Sequence, residues 1–404
     1  MKKVSKDILT CILIFSIIIG GLYFGKVPDY LELGMEDCKK YMEENGLFLT
    51  IPRFTWKVES AFSEGLSYHK DFMDFNSAIQ NNMGTVLIDK GDTTVVKSKT
   101  GFLSYQRDKM PEISLMKRAR NVAKLHHVAE ENGAEFIYVL APVKGYNMEF
   151  AENIEDFNKE NCDIFLEELK KVNVPYFSLI DAMEEDGISE EEMFFITDHH
   201  WKPEYALWAA ERVCREFKNR YGFEYDESKL NIDNYNSVQY DDWFLGSQGK
   251  KTGQYFTELG VDNFNLITPN FETHFSDTQV GKDYYKEGSF EEILIHRDHI
   301  ETKNFYTKNP YASYLGGDYR EEILKNNMIE DGKKVLVLRD SFSCAFAPFF
   351  ALNMGETYLL DMRDFAEFAG ERIDVAKYIE ELKPDYVMIM YTGVTGDDIV
   401  YEFK

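Results

Sequence analysis

Short apolar runs that alternate with helix-patterned segments restrict this chain to an α/β architecture. Three of the runs are AEFIYVLAP (134–142), KKVLVLRDSFS (333–343) and DYVMIMY (385–391). Each has strand length and strand residue types, and none has the one-in-two alternation of a half-exposed sheet. Between them, PEISLMKRARNVAKLHHVAEEN (111–132) places apolar side chains at helical spacing and stops at Gly133, a good residue to follow a helix C-terminus. The helix NCDIFLEELKKVN (161–173) leads into the strand VPYFSLI, and the strand TYLLD leads into the helix ERIDVAKYIEELK. A helix beginning at Pro203 runs to about Asn219, with proline in the first turn where its missing N–H costs nothing. This order predicts a three-layer α/β/α, flavodoxin-like sheet, mostly parallel. Periodicity fails from 221 to 330, a stretch rich in Asn, Asp, Gly, Tyr and Phe, which reads as a long insertion or lid. Ahead of the sheet, YHKDFMDFNSAIQ reads as an amphipathic helix and GTVLIDKGDTTVV as a short β-hairpin.

The N-terminus adds a second constraint. Lys2, Lys3 and Lys6 precede an apolar run from Ile8 to Phe24, which is the length of a short membrane-spanning helix. No small-x-small cleavage site follows, and the positive flank should stay inside the cell. The expected organisation is a cytoplasmic stub and membrane anchor over 1–25, a juxtamembrane segment over 26–60, and an extracellular domain over 61–404, at the cell membrane. A cleaved signal peptide is the competing reading. Five scattered cysteines with no C-x-x-C pair imply neither a zinc site nor a dense disulfide framework. A formal net charge of −26 argues against nucleic-acid partners and means that a polyanionic substrate would need a locally positive cleft.

Open α/β sheets bind ligands at the carboxyl ends of their strands. VLVLRDSFS puts Ser341 there, where a strand gives way to a helix whose N-terminal N–H groups favour developing negative charge. A serine at this position is either a helix cap or a nucleophile. The stretch FFITDHHWKPEY supplies what a nucleophile requires, a base and a carboxylate to orient it. Asp198 lies two residues before His200 and can reach that imidazole if the chain turns ahead of Pro203. His199, directly after Asp198, is expected to point away as a loop or core histidine, and Trp201 to close the pocket wall. Adjacent histidines also suggest a metal, but the further aspartate motifs of manganese phosphodiesterases are missing. His126 and His127 share a helix and cannot both face one site. His296 and His299 lie in the irregular stretch. GSQGKKT (246–252) lacks the glycine spacing of a phosphate loop and reads as a basic turn that could line the cleft. No G-x-S-x-G elbow occurs, which disfavours an ordinary α/β-hydrolase.

TDHHW together with RDSF resembles the DHHW family, itself similar to the SGNH hydrolase-like domains of the alginate O-acetylation proteins. LAPVK, FLGSQGKKTG, SYLGGDY and DMRDF extend the resemblance over most of the chain from about residue 60. The resemblance implies Asp198 as orienter, His200 as base and Ser341 as nucleophile, with Asp340 beside it. It implies further oxyanion donors, for which the backbone of Gly316 or Gly317 is the best match. Arg363, after the strand TYLLD, would bind an acyl or sugar group or pair with a neighbouring aspartate. The order Asp, His, Ser departs from ordinary SGNH hydrolases, and Arg339 stands where their serine block has glycine.

The expected activity is therefore O-acylation, most simply O-acetylation, of a cell-surface or secreted polysaccharide through a Ser-His-Asp acyl-enzyme, with no cofactor or metal. By the same resemblance, a polytopic membrane acyltransferase would supply the acyl group. A carbohydrate esterase or deacetylase would use the same residues with water as acceptor. A third reading is a non-catalytic polysaccharide-binding protein, with Trp243, Phe244, Tyr255 and Phe256 as sugar platforms.

Overall fold

A computed structural model describes residues 68–404, apart from 92, 364–372, 395–397 and 404, together with Asp29, Glu32, Met35, Glu36 and Lys39. The chain divides into two compact units, Met1–Asn82 and Met83–Lys404. In the first, helix α1 (His69–Asn82) covers the amphipathic stretch expected there. The proposed membrane anchor lies outside the described residues, among which no helix is long and apolar enough to cross a membrane.

The second unit opens with a small antiparallel sheet, β1 (Leu87–Asp89), β2 (Thr94–Lys97) and β3 (Leu103–Tyr105). The main body then alternates as the apolar runs predict. Its first half holds α2 (Glu112–Glu131), β4 (Glu135–Ala141), α3 (Asn158–Lys171), β5 (Tyr176–Ser178), and the short helices α4 (Leu179–Glu185) and α5 (Glu190–Met193). Helix α6 (Pro203–Tyr221) starts on its proline and stops at Gly222, whose φ of 68° is the left-handed geometry that glycine supplies without strain. The hairpin β6 (Tyr235–Phe244) and β7 (Asp262–Pro269) brackets α7 (Ser247–Thr252). Then follow β8 (Phe275–Gln279), β9 (Tyr285–Gly288), α8 (Phe290–Ile293), β10 (Glu321–Asn326), β11 (Lys334–Arg339), α9 (Ser343–Ala351), β12 (Glu356–Asp361), α10 (Val375–Leu382) and β13 (Tyr386–Thr392).

Eight strands form one sheet in the order β5-β4-β13-β11-β12-β10-β8-β9. The first five run parallel, and β10, β8 and β9 add antiparallel to the β12 edge. The irregular stretch 221–330 is thus not a separate lid: it supplies three strands to the sheet itself. Its strands were hidden because β9 is exposed along most of its length, while β8 and β10 carry buried polar residues (Ser276, Asp277, Gln279, Glu322) at positions where a sequence pattern expects apolar ones.

The central strands are apolar throughout because both faces are covered. On one face Ile137, Val139, Val337 and Met388 pack against Ala206, Leu207, Ala210 and Val213 of α6 and against Phe346, Phe349 and Phe350 of α9. On the other, Phe136, Tyr138, Leu338 and Ile389 meet Leu115, Ala119 and Val122 of α2, Phe165 and Leu169 of α3, and Val375 and Ile379 of α10. The three layers place the carboxyl ends of β4, β11, β12 and β13 side by side. Truncating Ile389, which is fully buried, should leave a cavity in the centre of the sheet. Ile389→Ala is expected to lower stability by about 2–5 kcal/mol, read as a shift in the urea unfolding midpoint; a shift equivalent to less than about 1 kcal/mol would contradict this packing.

Candidate active site

The TDHH segment is the tip of a tight loop. Its stem closes through a bridge between Phe194 and Trp201 and a bond from the Lys202 N–H to the Met193 carbonyl at 2.8 Å. Buried groups grip the tip from three sides. The Asp262 carboxylate accepts from the N–H groups of Ile196 (2.5 Å) and Thr197 (2.8 Å) and from the Thr197 hydroxyl (2.5 Å). The Lys144 ammonium donates to the carbonyls of Phe195 (2.6 Å), Ile196 (2.9 Å) and Asp198 (2.9 Å), and to Gln248 Oε1 at 3.2 Å. From the third side, the N-terminus of α7 lies directly on the loop: Gly246 donates to Thr197 Oγ1 at 2.9 Å, and Gly249 to the Thr197 carbonyl at 2.9 Å. A β-carbon at Gly246 would fall 2.1 Å from Asp198 Cβ and 2.5 Å from its Cα, so only glycine fits.

So held, Asp198 accepts three hydrogen bonds. Its Oδ1 takes the His200 N–H at 3.0 Å and the ring Nδ1 at 2.6 Å, and its Oδ2 takes the Ser247 N–H at 2.6 Å. Burial alone would push this carboxyl up. The adjacent imidazoles and these donors outweigh burial and hold it well below the usual carboxylate range. An ionised carboxylate only accepts, so His200 Nδ1 carries the proton and Nε2 is left as acceptor. That nitrogen lies 2.7 Å from Ser341 Oγ. His200 stacks on Tyr311, with ring centroids 4.0 Å apart and an 11° interplanar angle, and the Tyr311 hydroxyl donates to the Phe342 carbonyl at 3.0 Å. Base and serine turn thereby share one support.

Asp340, beside the serine, acts on the backbone. Its carboxylate accepts from the N–H groups of Phe342 (3.0 Å) and Thr392 (2.6 Å), pinning the serine turn to the end of β13. Burial pushes its carboxyl up from the ordinary value. A pocket of about 240 Å³ opens beside Ser341, with Tyr105, Arg107, Lys144, His199, Gln248 and Arg363 among its lining. Arg363 spans both earlier expectations: its guanidinium bonds Asp361 (2.9 and 2.5 Å) and pairs with Asp318 at 3.2 Å, yet its half-exposed side chain faces this pocket.

Other expected site residues stand elsewhere. Trp201 is fully buried against Phe342 and Phe346 and forms core behind the site rather than pocket wall. Gly316 and Gly317 are not among the pocket-lining residues. Gly316 sits flush against the His296 ring, and the Gly317 carbonyl faces Cys344 Sγ at 3.4 Å. They lead into Asp318, which binds the buried Arg339 guanidinium under the serine turn. His199 does not point away. It lines the pocket, hydrogen-bonds Ser247 Oγ through Nδ1 at 2.8 Å, and lies 3.8 Å from the His200 ring centroid. Burial and the neighbouring His200 lower its pKa to about 3, so it is neutral. Asp198, His199 and His200 each offer a ligand atom within 4.8 Å of the others, a spacing a metal ion could use. In this structure those side chains are engaged with one another, with Ser247 and with Ser341. Among the proposed sugar platforms, Phe244 and Phe256 are core, and Tyr255 is the most exposed of the four. Lys144, Gln248, Asp262 and Tyr311 were not picked out as site residues from the sequence. Only Gly246 and Gly249, both in GSQGKKT, left a visible mark of close packing.

Residues 101–236 match the family of SGNH hydrolase-like domains of the acetyltransferase AlgX. The resemblance read from the sequence holds. The matched region contains Asp198 and His200, and Ser341 lies beyond it. Among solved structures, Bacillus cereus PatB1 with a sulfonyl adduct aligns with a TM-score of 0.63 at 20% identity, over 78% of this chain and 99% of that one. A DHHW family protein from Eubacterium siraeum aligns with a TM-score of 0.57 at 16% identity, over 78% and 96%. Both share the fold. No curated protein matches the chain.

The loop geometry carries its own test. Gly246→Ala should displace Asp198 and lower serine reactivity about a hundredfold, the scale of a 1 Å misplacement at a reacting centre. Gly222→Ala, strained but remote from the serine, should cost stability and leave reactivity largely intact. Equal reactivity in the two variants would contradict the packing argument.

Proposed function

We propose that this protein is a serine O-acyltransferase, most simply an O-acetyltransferase, that modifies a cell-surface or secreted polysaccharide. The observation that carries the reading is the continuous chain from Asp198 through His200 to Ser341 Oγ at the carboxyl end of β11, beside a pocket with room for a small acyl group. Its likeness to the SGNH hydrolase-like domains of AlgX supports the reaction class.

In the first half-reaction Ser341 Oγ attacks the acyl carbonyl while His200 Nε2 takes the hydroxyl proton. Asp198 stabilises the resulting imidazolium and stays ionised. The oxyanion forms near the Ser341 N–H, which precedes the first turn of α9. Collapse breaks the bond to the donor's leaving group, which departs with the proton from His200. In the second half-reaction a sugar hydroxyl gives its proton to His200 and attacks the acyl-serine, and the bond to Ser341 Oγ breaks as Oγ takes that proton from His200, releasing the ester product and free Ser341. The pocket is lined by the basic side chains of Arg107, Lys144 and Arg363 despite the chain's net charge of −26. The apolar run from Ile8 to Phe24 behind Lys2, Lys3 and Lys6 supports a catalytic unit held outside the cell on an N-terminal anchor, and on this reading a polytopic membrane protein delivers the acyl group.

Incubation of the chain with a chromogenic acetyl ester, with and without an oligosaccharide acceptor, tests this. Acetyl transfer to sugar is expected, and Ser341→Ala and His200→Ala should each reduce it by about three orders of magnitude or more. Release to water alone, unaffected by sugar, would instead make the protein an esterase. Serine-independent turnover would reject the acyl-enzyme altogether.

A further inference from the structure

The loop that carries Asp198 is held by a single buried cation whose contacts are all to backbone or amide oxygen. Lys144 is only 3% exposed, and its ammonium reaches the carbonyls of Phe195, Ile196 and Asp198 at 2.6–2.9 Å. These carbonyls flank the side chain that orients the base. Lys144 itself is anchored on the far side: its carbonyl accepts from Ser104 Oγ at 3.0 Å, and the next N–H, of Gly145, donates to Glu190 at 2.9 Å. It therefore ties the end of β4 to the TDHH loop and, through Gln248, to α7.

We propose that Lys144 is a positioning residue for acyl transfer, and that its ammonium sets the backbone from which Asp198 addresses His200. An ammonium has three hydrogens for the three backbone carbonyls at 2.6–2.9 Å and shares one with the more distant Gln248 Oε1 at 3.2 Å, while a neutral amine has two and must leave at least one of the loop carbonyls or Gln248 without a donor. Loss of a proton from Lys144 thus loosens the loop next to Asp198 without touching the triad side chains. The groups facing it are Asp262 at the start of β7, Asp198 in the loop and Glu190 on α5, which favour the charge, and Lys202 ahead of α6, which opposes it. The Phe102 ring lies 5.5 Å from the ammonium, and the neighbouring His199 is neutral. Burial outweighs the carboxylates and lowers the Lys144 pKa to about 7, so the switch falls within an accessible range.

The sign of the linkage separates positioning from simple structural support. Between about pH 7 and the ordinary lysine value the unfolded chain binds more protons at Lys144 than the folded one. This group's contribution to stability therefore rises with pH. Serine reactivity, on this proposal, falls over the same interval. The two quantities move in opposite directions, which a merely structural residue would not produce.

The proposal rests on the Ser341 triad, not on the identity of the acceptor. The test is the rate at which phenylmethylsulfonyl fluoride labels Ser341 in the full chain, corrected for hydrolysis of the probe, followed by intact mass and paired with thermal melting at each pH. In wild type the labelling rate should fall about tenfold or more from about pH 7 to about pH 9, with no parallel loss of melting temperature. Lys144→Met, which lacks the donors, should label slowly with no such limb, and the melting difference should shift in favour of wild type as pH rises. A flat wild-type profile, or a Lys144→Met profile identical to wild type, overturns the proposal. Should Lys144→Met fail to fold, the wild-type pair of curves decides alone. No labelling of folded wild type at any pH overturns the triad reading and this proposal with it.

Discussion

The Asp262 carboxylate, buried at the start of β7, collects the Ile196 N–H, the Thr197 N–H and the Thr197 hydroxyl, and the site is built outward from that grip. A loop tip of this kind would otherwise leave these donors without partners away from water, at a cost of roughly 1–3 kcal/mol each. With them satisfied, Thr197 can pack against Gly246 and Gly249, and Asp198 is turned so that one oxygen meets His200 and the other the Ser247 N–H. A carboxylate with three donors has one preferred position. That restraint makes the two-residue reach from Asp198 to His200 a fixed geometry.

Two separate parts of the chain meet at the serine, and each is braced by buried polar contacts. On the β11 side, Asp340 ties the turn to Thr392 on β13, and Arg339 ties it to Asp318 and Cys344. On the loop side, Lys144 and Asp262 hold opposite sets of backbone groups, carbonyls for the cation and N–H groups for the anion. Tyr311 joins the two halves by stacking on His200 and donating to the Phe342 carbonyl. Arg339 replaces the glycine of the usual serine block, and its buried guanidinium explains why a large residue is tolerated there: Asp318 and the Cys344 thiol receive it beneath the turn.

Much of the fold was legible because burial on both faces writes itself into a strand as unbroken apolarity. β4, β11 and β13 carry that mark, and the helices between them carry helical spacing. The antiparallel edge was not legible. β9 is largely exposed, and β8 and β10 bury Asp277, Gln279 and Glu322, so their pattern resembles a loop more than a strand. The aromatics of the insertion show the converse problem, since residue type alone does not tell Phe244 and Phe256, which are core, from an exposed ring such as Tyr255.

At the site, the sequence by itself singled out Asp198, His200 and Ser341, because spacing and a strand-to-helix boundary are local properties. It could not orient His199, whose ring is held by Ser247, nearly fifty residues away, through Nδ1 and packs beside Tyr105 and Phe342. Nor could it reveal Lys144, Asp262 or Gln248. Lys144 and Asp262 act through hydrogen bonds to backbone groups of a distant loop, Gln248 acts through Lys144, and a backbone carbonyl or N–H has no letter in the sequence. The chemistry-bearing side chains were therefore written in the chain, and the tertiary structure alone decided what holds them still.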